Sequence, residues 1–305
     1  VALWTFFTPL VKLVSIKSQF LLVTLSFTFT FLTFLIVLGV IHGRDLWRRL
    51  RALGGRHVFF GLFGYFFYWQ ALIQCFREFS SASGSTVLNY TWPVFTVLFT
   101  EVIFRRSRKP RLHRLVEWSG IFLGLASVLV LATRGDVLAF EFTHVKGLLW
   151  GLAAGGSYGF FGASSGTVPR ESHGAFLLAA AGVSVLAMLP FGLSEAGLVG
   201  SITARDLVIV AVLGSVFDGM GYFLWTAANR LAREQGVDIS AVSSIVFFLP
   251  LLSVVGISLI FGEQELWQPY FAVTLVLLIS GSMLCQLTGP VSARLRAWFS
   301  RPRPE

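Results

Sequence analysis

Asn89-Tyr90-Thr91-Trp92-Pro93 interrupts an otherwise apolar run from Thr86 to Phe104. An amide, a phenol, a hydroxyl and an indole follow one another where hydrocarbon is expected. Pro93 has no amide hydrogen, so it deprives one upstream carbonyl of its helical partner. In a bilayer such a cluster persists only against other helices or beside a wet cavity. Two readings follow. The cluster lines the path of a transported solute, or it joins helices through polar contacts.

The surrounding chain supplies the membrane frame. Of its 305 residues, 55% are apolar and 13% are charged, against a charged share of roughly 25% in soluble domains. Mean hydropathy is +0.76. Apolar runs fall at 1–16, 20–41, 58–78, 84–104, 115–133, 145–165, 175–193, 206–228, 239–261 and 267–288. Most approach the roughly 20 residues a spanning helix needs, and no strand-length alternation competes with them. The expected fold is an all-α integral membrane protein with ten transmembrane helices. The first run ends near Ile16 and begins at Val1, which reads as a trimmed first helix. A secretory signal peptide is the alternative, although the basic flank and small-residue cleavage site are not visible.

A net charge of +9 would point to nucleic acid in a soluble protein. Here topology explains it, and no nucleic-acid partner is expected. Eighteen of the 24 basic residues fall in segments on the N-terminal side of the membrane. The positive-inside rule then makes both termini cytoplasmic. Cys75 and Cys285 lie in separate runs, with neither a disulfide framework nor a metal motif around them.

The halves of the chain match one another. A shift of 157 places Gly64-Tyr65-Phe66 on Gly221-Tyr222-Phe223, Ala71 on Ala228, Pro93 on Pro250, Phe104 on Phe261 and Gly124 on Gly281. One offset thus relates three consecutive runs to three others. Five helices per half is an odd number, so the second copy enters the membrane upside down, and a site is expected between the copies. The predicted division is 1–140, 141–290 and a basic cytoplasmic tail, 291–305. In that tail Arg294, Arg296, Arg301 and Arg303 surround Leu295, Trp298 and Phe299, which suits anionic headgroups. Gly120 with Gly124, and Gly151 with Gly155 and Gly159, read as close-packing positions.

Asp218, Tyr222, Trp225 and Asn229 share a face at helical spacing. Tyr65 and Tyr68 occupy the matching face of the third run, beside Trp69 and Gln70. With Asn89, Tyr90 and Trp92 they would wall an aromatic cavity for a small amphipathic or cationic solute, or else form an aromatic core. Asp218 is the one acid well inside a run. It would carry a proton, bind an ammonium group or bond neighbouring helices. Lys12 would snorkel outward or attract a carboxylate. All five histidines are expected in loops. No metalloprotease, nucleophile-elbow or phosphate-loop motif occurs, so the chain is read as a non-enzyme without cofactor or metal.

These features resemble the drug/metabolite transporter superfamily, in its ten-helix branch of two EamA repeats. The likeness rests on Leu3-Trp4 with Lys12, on the Asn89–Thr96 segment, and on Phe247-Phe248-Leu249-Pro250-Leu251-Leu252 followed by Phe261-Gly262-Glu263. The Asn-Tyr-x-Trp-Pro form is similar to that of aromatic-amino-acid exporters. The resemblance implies that Tyr90 and Trp92 line a central cavity with the third and sixth runs opposite, Tyr158 included, and that Pro93 and Pro250 act as hinges. It further implies export of amino acids, aromatic or otherwise neutral, across a bacterial inner membrane by alternating access. The partners would be a small-molecule substrate, the lipid bilayer and, if flux is coupled, protons, with a monomer or homodimer as the unit. Arg106 stands where the second copy has Glu263, so a role for that glutamate is not duplicated. The alternatives are a carrier of phosphorylated or nucleotide sugars, which needs buried cations and finds only Lys12, a lipid-modifying enzyme, and a non-transporting scaffold.

Overall fold

The computed structural model describes residues 2–11, 13–79, 87–102, 110–140, 144–237, 239–261 and 268–287. Helices make up nearly all of these residues, and there is no strand among them. Among the described residues, seven helices are long and apolar enough to cross a membrane: Gln19–His42, Gly55–Glu78, Arg111–Ala132, Arg170–Leu193, Ala204–Glu234, Ile239–Gly256 and Pro269–Gln286. Each of them exposes large apolar side chains. Gln19–His42 buries Phe27 and Phe34, yet Ile36 is 63% and Val40 82% exposed. Water would penalise that outer surface, whereas hydrocarbon does not. The fold is that of a multi-pass helical membrane protein.

In three apolar runs, the first, fourth and ninth, a break or a 3-10 turn interrupts the α-helix. The first is split into Ala2–Thr5 and Phe7–Val11. The fourth breaks at Tyr90-Thr91 before restarting as Trp92–Val102. There the Leu88 carbonyl accepts from both the amide and the hydroxyl of Thr91, at 3.1 and 2.7 Å. Pro93 then sits in the first turn of the new helix, where its missing amide costs nothing. Pro250 takes a similar place in Phe248–Phe261, after the 3-10 turn Ile245–Phe247.

Glycines set how closely the helices approach. A side chain at Gly151, Gly155 or Gly159 would run into Leu88, Thr91 or Phe95 respectively. The Val145–Ser165 helix therefore lies flush against the broken segment. A side chain at Gly120 would strike the Gly281 carbonyl, one at Gly281 the backbone of Gly120 and Gly124, and one at Gly124 the Phe247 ring, which closes Arg111–Ala132 on Pro269–Leu287. Both stripes are packing positions, as the spacing predicts.

Polar contacts gather the helix ends into two groups. At one end Ser15 bonds Asp206 through its amide (2.8 Å) and hydroxyl (2.6 Å), Arg77 faces Glu195 at 3.7 Å, and Lys146 meets Glu78 at 2.5 Å. At the other, Arg49 donates to the Glu171 carbonyl, and His173 Nε2 lies 2.6 Å from Thr226 Oγ1. The expectation that every histidine lies in a loop is corrected here. His57 and His173 are buried within helices, and His42 and His113 are helical as well. Polar helix-end residues are hard to separate from loops by composition alone. Lys12, Arg106, Glu263 and the 291–305 tail lie outside the described residues.

Candidate functional site

Two helices carry π-helical turns, at Phe63–Phe67 inside Gly55–Glu78 and at Leu213–Met220 inside Ala204–Glu234. A π turn widens the backbone and shifts the register of every later side chain. In both places side chains from other elements bond to the backbone. The Tyr222 hydroxyl donates to the Gly64 carbonyl at 3.1 Å. Thr30 Oγ1 donates to the Gly214 carbonyl at 2.7 Å, and Trp4 Nε1 to the Phe217 carbonyl at 2.8 Å. Glycine makes two of these approaches possible. A side chain at Gly214 would strike the backbone of Ser26, and one at Gly221 the indole of Trp4.

Around these turns the rings assemble into one connected cluster. Tyr65 lies on Tyr222 with centroids 4.4 Å apart and planes 31° from parallel. Tyr222 meets Tyr158 edge-on at 5.3 Å. Tyr158 in turn touches Tyr68 at 4.9 Å and Trp92 at 4.8 Å. Trp92 abuts Trp225 edge-on at 4.9 Å. Trp4, from the first helical turn, reaches Tyr222 at 6.1 Å and Trp225 at 6.4 Å. Such tilted and edge-to-face pairs each contribute about 0.5–1.5 kcal/mol beyond area burial. The six rings of Tyr65, Tyr68, Trp92, Tyr158, Tyr222 and Trp225 are all buried.

The structure therefore brings together most of the residues singled out from sequence. Asn89 joins through its amide oxygen, which accepts from the Tyr68 hydroxyl at 2.9 Å. Tyr90 is buried, but among the described residues its ring does not enter the chain of ring pairs. Trp69 joins the cluster edge-on through Tyr68 (5.5 Å) and also meets Phe7 (6.1 Å) and Phe27 (6.4 Å). Pro93 and Pro250 are buried at the restarts already described. The sequence reading omitted Trp4 and Phe161 from the site. Phe161 packs on Tyr158, Tyr222 and Tyr65 at 5.6–6.1 Å, and its place one turn after Tyr158 was the available signal.

Asp218 is buried within the Leu213–Met220 turn. Its carboxylate accepts from the Ser26 hydroxyl at 2.7 Å. Thr30–Gly214 and a 2.7 Å bond between Thr33 and Ser215 extend this contact along the Gln19–His42 helix. The acid thus belongs to a polar seam. Tyr222, Trp225 and Asn229 bury the same face further along, as the spacing predicts.

Several buried polar atoms near the rings have no hydrogen-bond partner among the described residues: the Tyr65 hydroxyl, the Trp69 and Trp225 indole N–H groups, and both amide atoms of Asn229. Leaving a buried donor or acceptor unmade costs about 1–3 kcal/mol. Such atoms are what a polar solute would satisfy. The rings themselves lie in mutual contact. A cavity of about 870 Å³ opens elsewhere, at the end of the bundle beside Arg134, Gly135, Pro269 and Tyr270.

No family model matches the sequence, and no curated protein matches it. Solved structures do match. One, described only as "Crystal structure of protein", aligns with a TM-score of 0.72 and 20% sequence identity, over 96% of this chain and 95% of that one. At that identity the two share a fold, and the likeness goes no further.

Proposed function

We propose that this protein is a secondary transporter that exports small amphipathic metabolites, amino acids with aromatic or other neutral side chains foremost, by alternating access. The single observation that carries the reading is the buried ring cluster, with unpartnered polar atoms beside it. Rings supplied by several separate helices bind apolar surface, while free donors and acceptors fix a polar group. Substrate would enter by parting these rings, so their contact corresponds to a closed, unloaded state.

In this reading the chain comprises ten transmembrane helices in two inverted repeats, 1–140 and 141–290, of the EamA type in the drug/metabolite transporter superfamily. Both termini and the 291–305 tail face the cytoplasm of a bacterial inner membrane. Pro93 and Pro250, each opening a restarted helix, are the hinges between the copies. Asp218 is the proton site, since a carboxylate held by one serine hydroxyl can be neutralised without breaking an ion pair. The direct test is flux of labelled tryptophan, phenylalanine and leucine into proteoliposomes holding the full chain. Saturable flux supports the reading, and flux no faster than in empty liposomes for every probe refutes it.

A further inference from the structure

The segment between the Gln19–His42 and Gly55–Glu78 helices is a short helix, Asp45–Arg51. It leaves the first of these through Gly43, whose φ of +51° is the left-handed conformation that favours glycine. One face is anchored. Leu46 is buried, and Leu50 and Leu53 pack on the core. Arg49 ties the helix sideways by donating to the Glu171 carbonyl, while Asp45 holds Arg49 at 2.8 Å and Arg48 at 2.6 Å. The Asp45 carboxyl is kept below the usual carboxylate range, first by its bond to Arg49, so these pairs are intact at neutral pH.

The other face is turned outward and has a particular composition. Trp47 is 60% exposed, with the Arg51 guanidinium over its ring at 5.1 Å. The Arg48 side chain is 82% exposed, and Arg44, Arg51 and Arg56 are exposed as well. Val40, Ile41 and Phe59, on the adjoining turns of the two long helices, are exposed and apolar. The outward surface therefore offers hydrocarbon, an indole and guanidinium groups side by side. Those three chemistries match acyl chain, interfacial boundary and phosphate. Arginine suits the last of these because its planar fork binds phosphate oxygens in pairs.

We infer that the Asp45–Arg51 helix is a docking surface for anionic phospholipid headgroups. Arg44, Arg51 and Arg56 take the phosphates, and Trp47 seats the helix at the boundary of the acyl region. Charge complementarity names the occupant, and the helix's place between two membrane-crossing helices brings it to the bilayer surface. Because Arg49 bonds the Glu171 carbonyl just before the His173–Leu193 helix, lipid held here also steadies the start of that helix. The inference needs the membrane fold and is independent of the transport reading.

The test is thermal unfolding of the full chain in detergent, with phosphatidylglycerol or phosphatidylcholine added. The expected result is a rise of several degrees with phosphatidylglycerol alone, shrinking as salt is raised. Replacing Arg44, Arg51 and Arg56 together by Gln should abolish that difference and leave the phosphatidylcholine midpoint unchanged. Retention of the full difference in the triple variant would overturn the inference. Equal shifts with both lipids, or a shift reproduced by inorganic phosphate, would overturn it too. Should the triple variant not fold, Trp47→Ala with wild-type salt titration decides: an anionic-lipid shift insensitive to both salt and Trp47 contradicts the proposal.

Discussion

Tyr222 donates its hydroxyl to the Gly64 carbonyl at 3.1 Å while its ring lies against Tyr65, the next residue along. Tyr222 thus holds the π turn of another helix and forms part of the ring cluster. A change in the cluster and a change in the backbone of Phe63–Phe67 are coupled through one side chain. Tyr222→Phe keeps the ring and removes the bond. The expected result is a stability loss of about 1 kcal/mol, read by thermal unfolding, with at least a comparable, roughly fivefold fall in transport rate. Transport at the wild-type rate would show that the bond is structural only.

Glycine positions give a sharper contrast. A side chain at Gly155 meets Thr91 and the Trp92 amide, whereas one at Gly156 meets nothing within 4 Å. Gly155→Val should destabilise the protein by about 1–3 kcal/mol through overpacking. Gly156→Ala should be neutral or slightly stabilising, because alanine is the better helix former by up to about 1 kcal/mol. Unfolding midpoints of the two variants in one detergent test this. Equal shifts would mean that the Val145–Ser165 helix does not pack where described.

Asp218 and Ser26 form the third test. Asp218→Asn keeps a group that can accept from Ser26 but cannot be charged. The expected outcome is folded protein whose transport no longer responds to an imposed pH gradient. Ser26→Ala leaves the acid without its donor and should cost about 1–3 kcal/mol of stability. A gradient response in Asp218→Asn equal to that of wild type removes the acid from the coupling step.

Trp225 and Asn229 allow substrate recognition to be separated from packing. Both amide atoms of Asn229 lack a hydrogen-bond partner among the described residues, so Asn229→Leu should preserve or improve stability. If these atoms meet the polar group of the solute, the same change should weaken its binding by about tenfold, equivalent to roughly 1.4 kcal/mol. Thermal unfolding reads the stability and isothermal titration with the transported probe the affinity, both on one preparation. Unchanged affinity would place the polar group elsewhere.

Much of this arrangement was legible in the chain. Apolar runs announce themselves by length, and the glycine spacings at 120/124 and 151/155/159 specify close approach. Tyr222, Trp225 and Asn229 were readable because an α-helix repeats its face every three to four residues. The π turns were not, since no residue type encodes them and they arise from tertiary contacts such as Thr30 on Gly214. The break at Tyr90-Thr91 was only half visible. Pro93 signals a missing amide, but Thr91 bonding back to Leu88 decides where the helix stops. Trp4 joins residues more than 200 positions away, and only the folded chain reveals that.

The central claim concerns Trp92, whose ring touches both Tyr158 and Trp225. The decisive measurement is flux of labelled tryptophan into proteoliposomes containing wild-type protein or Trp92→Ala, with folding of each verified by its unfolding transition. The account predicts saturable flux for wild type and essentially none for the folded variant. Wild-type flux through folded Trp92→Ala would contradict it.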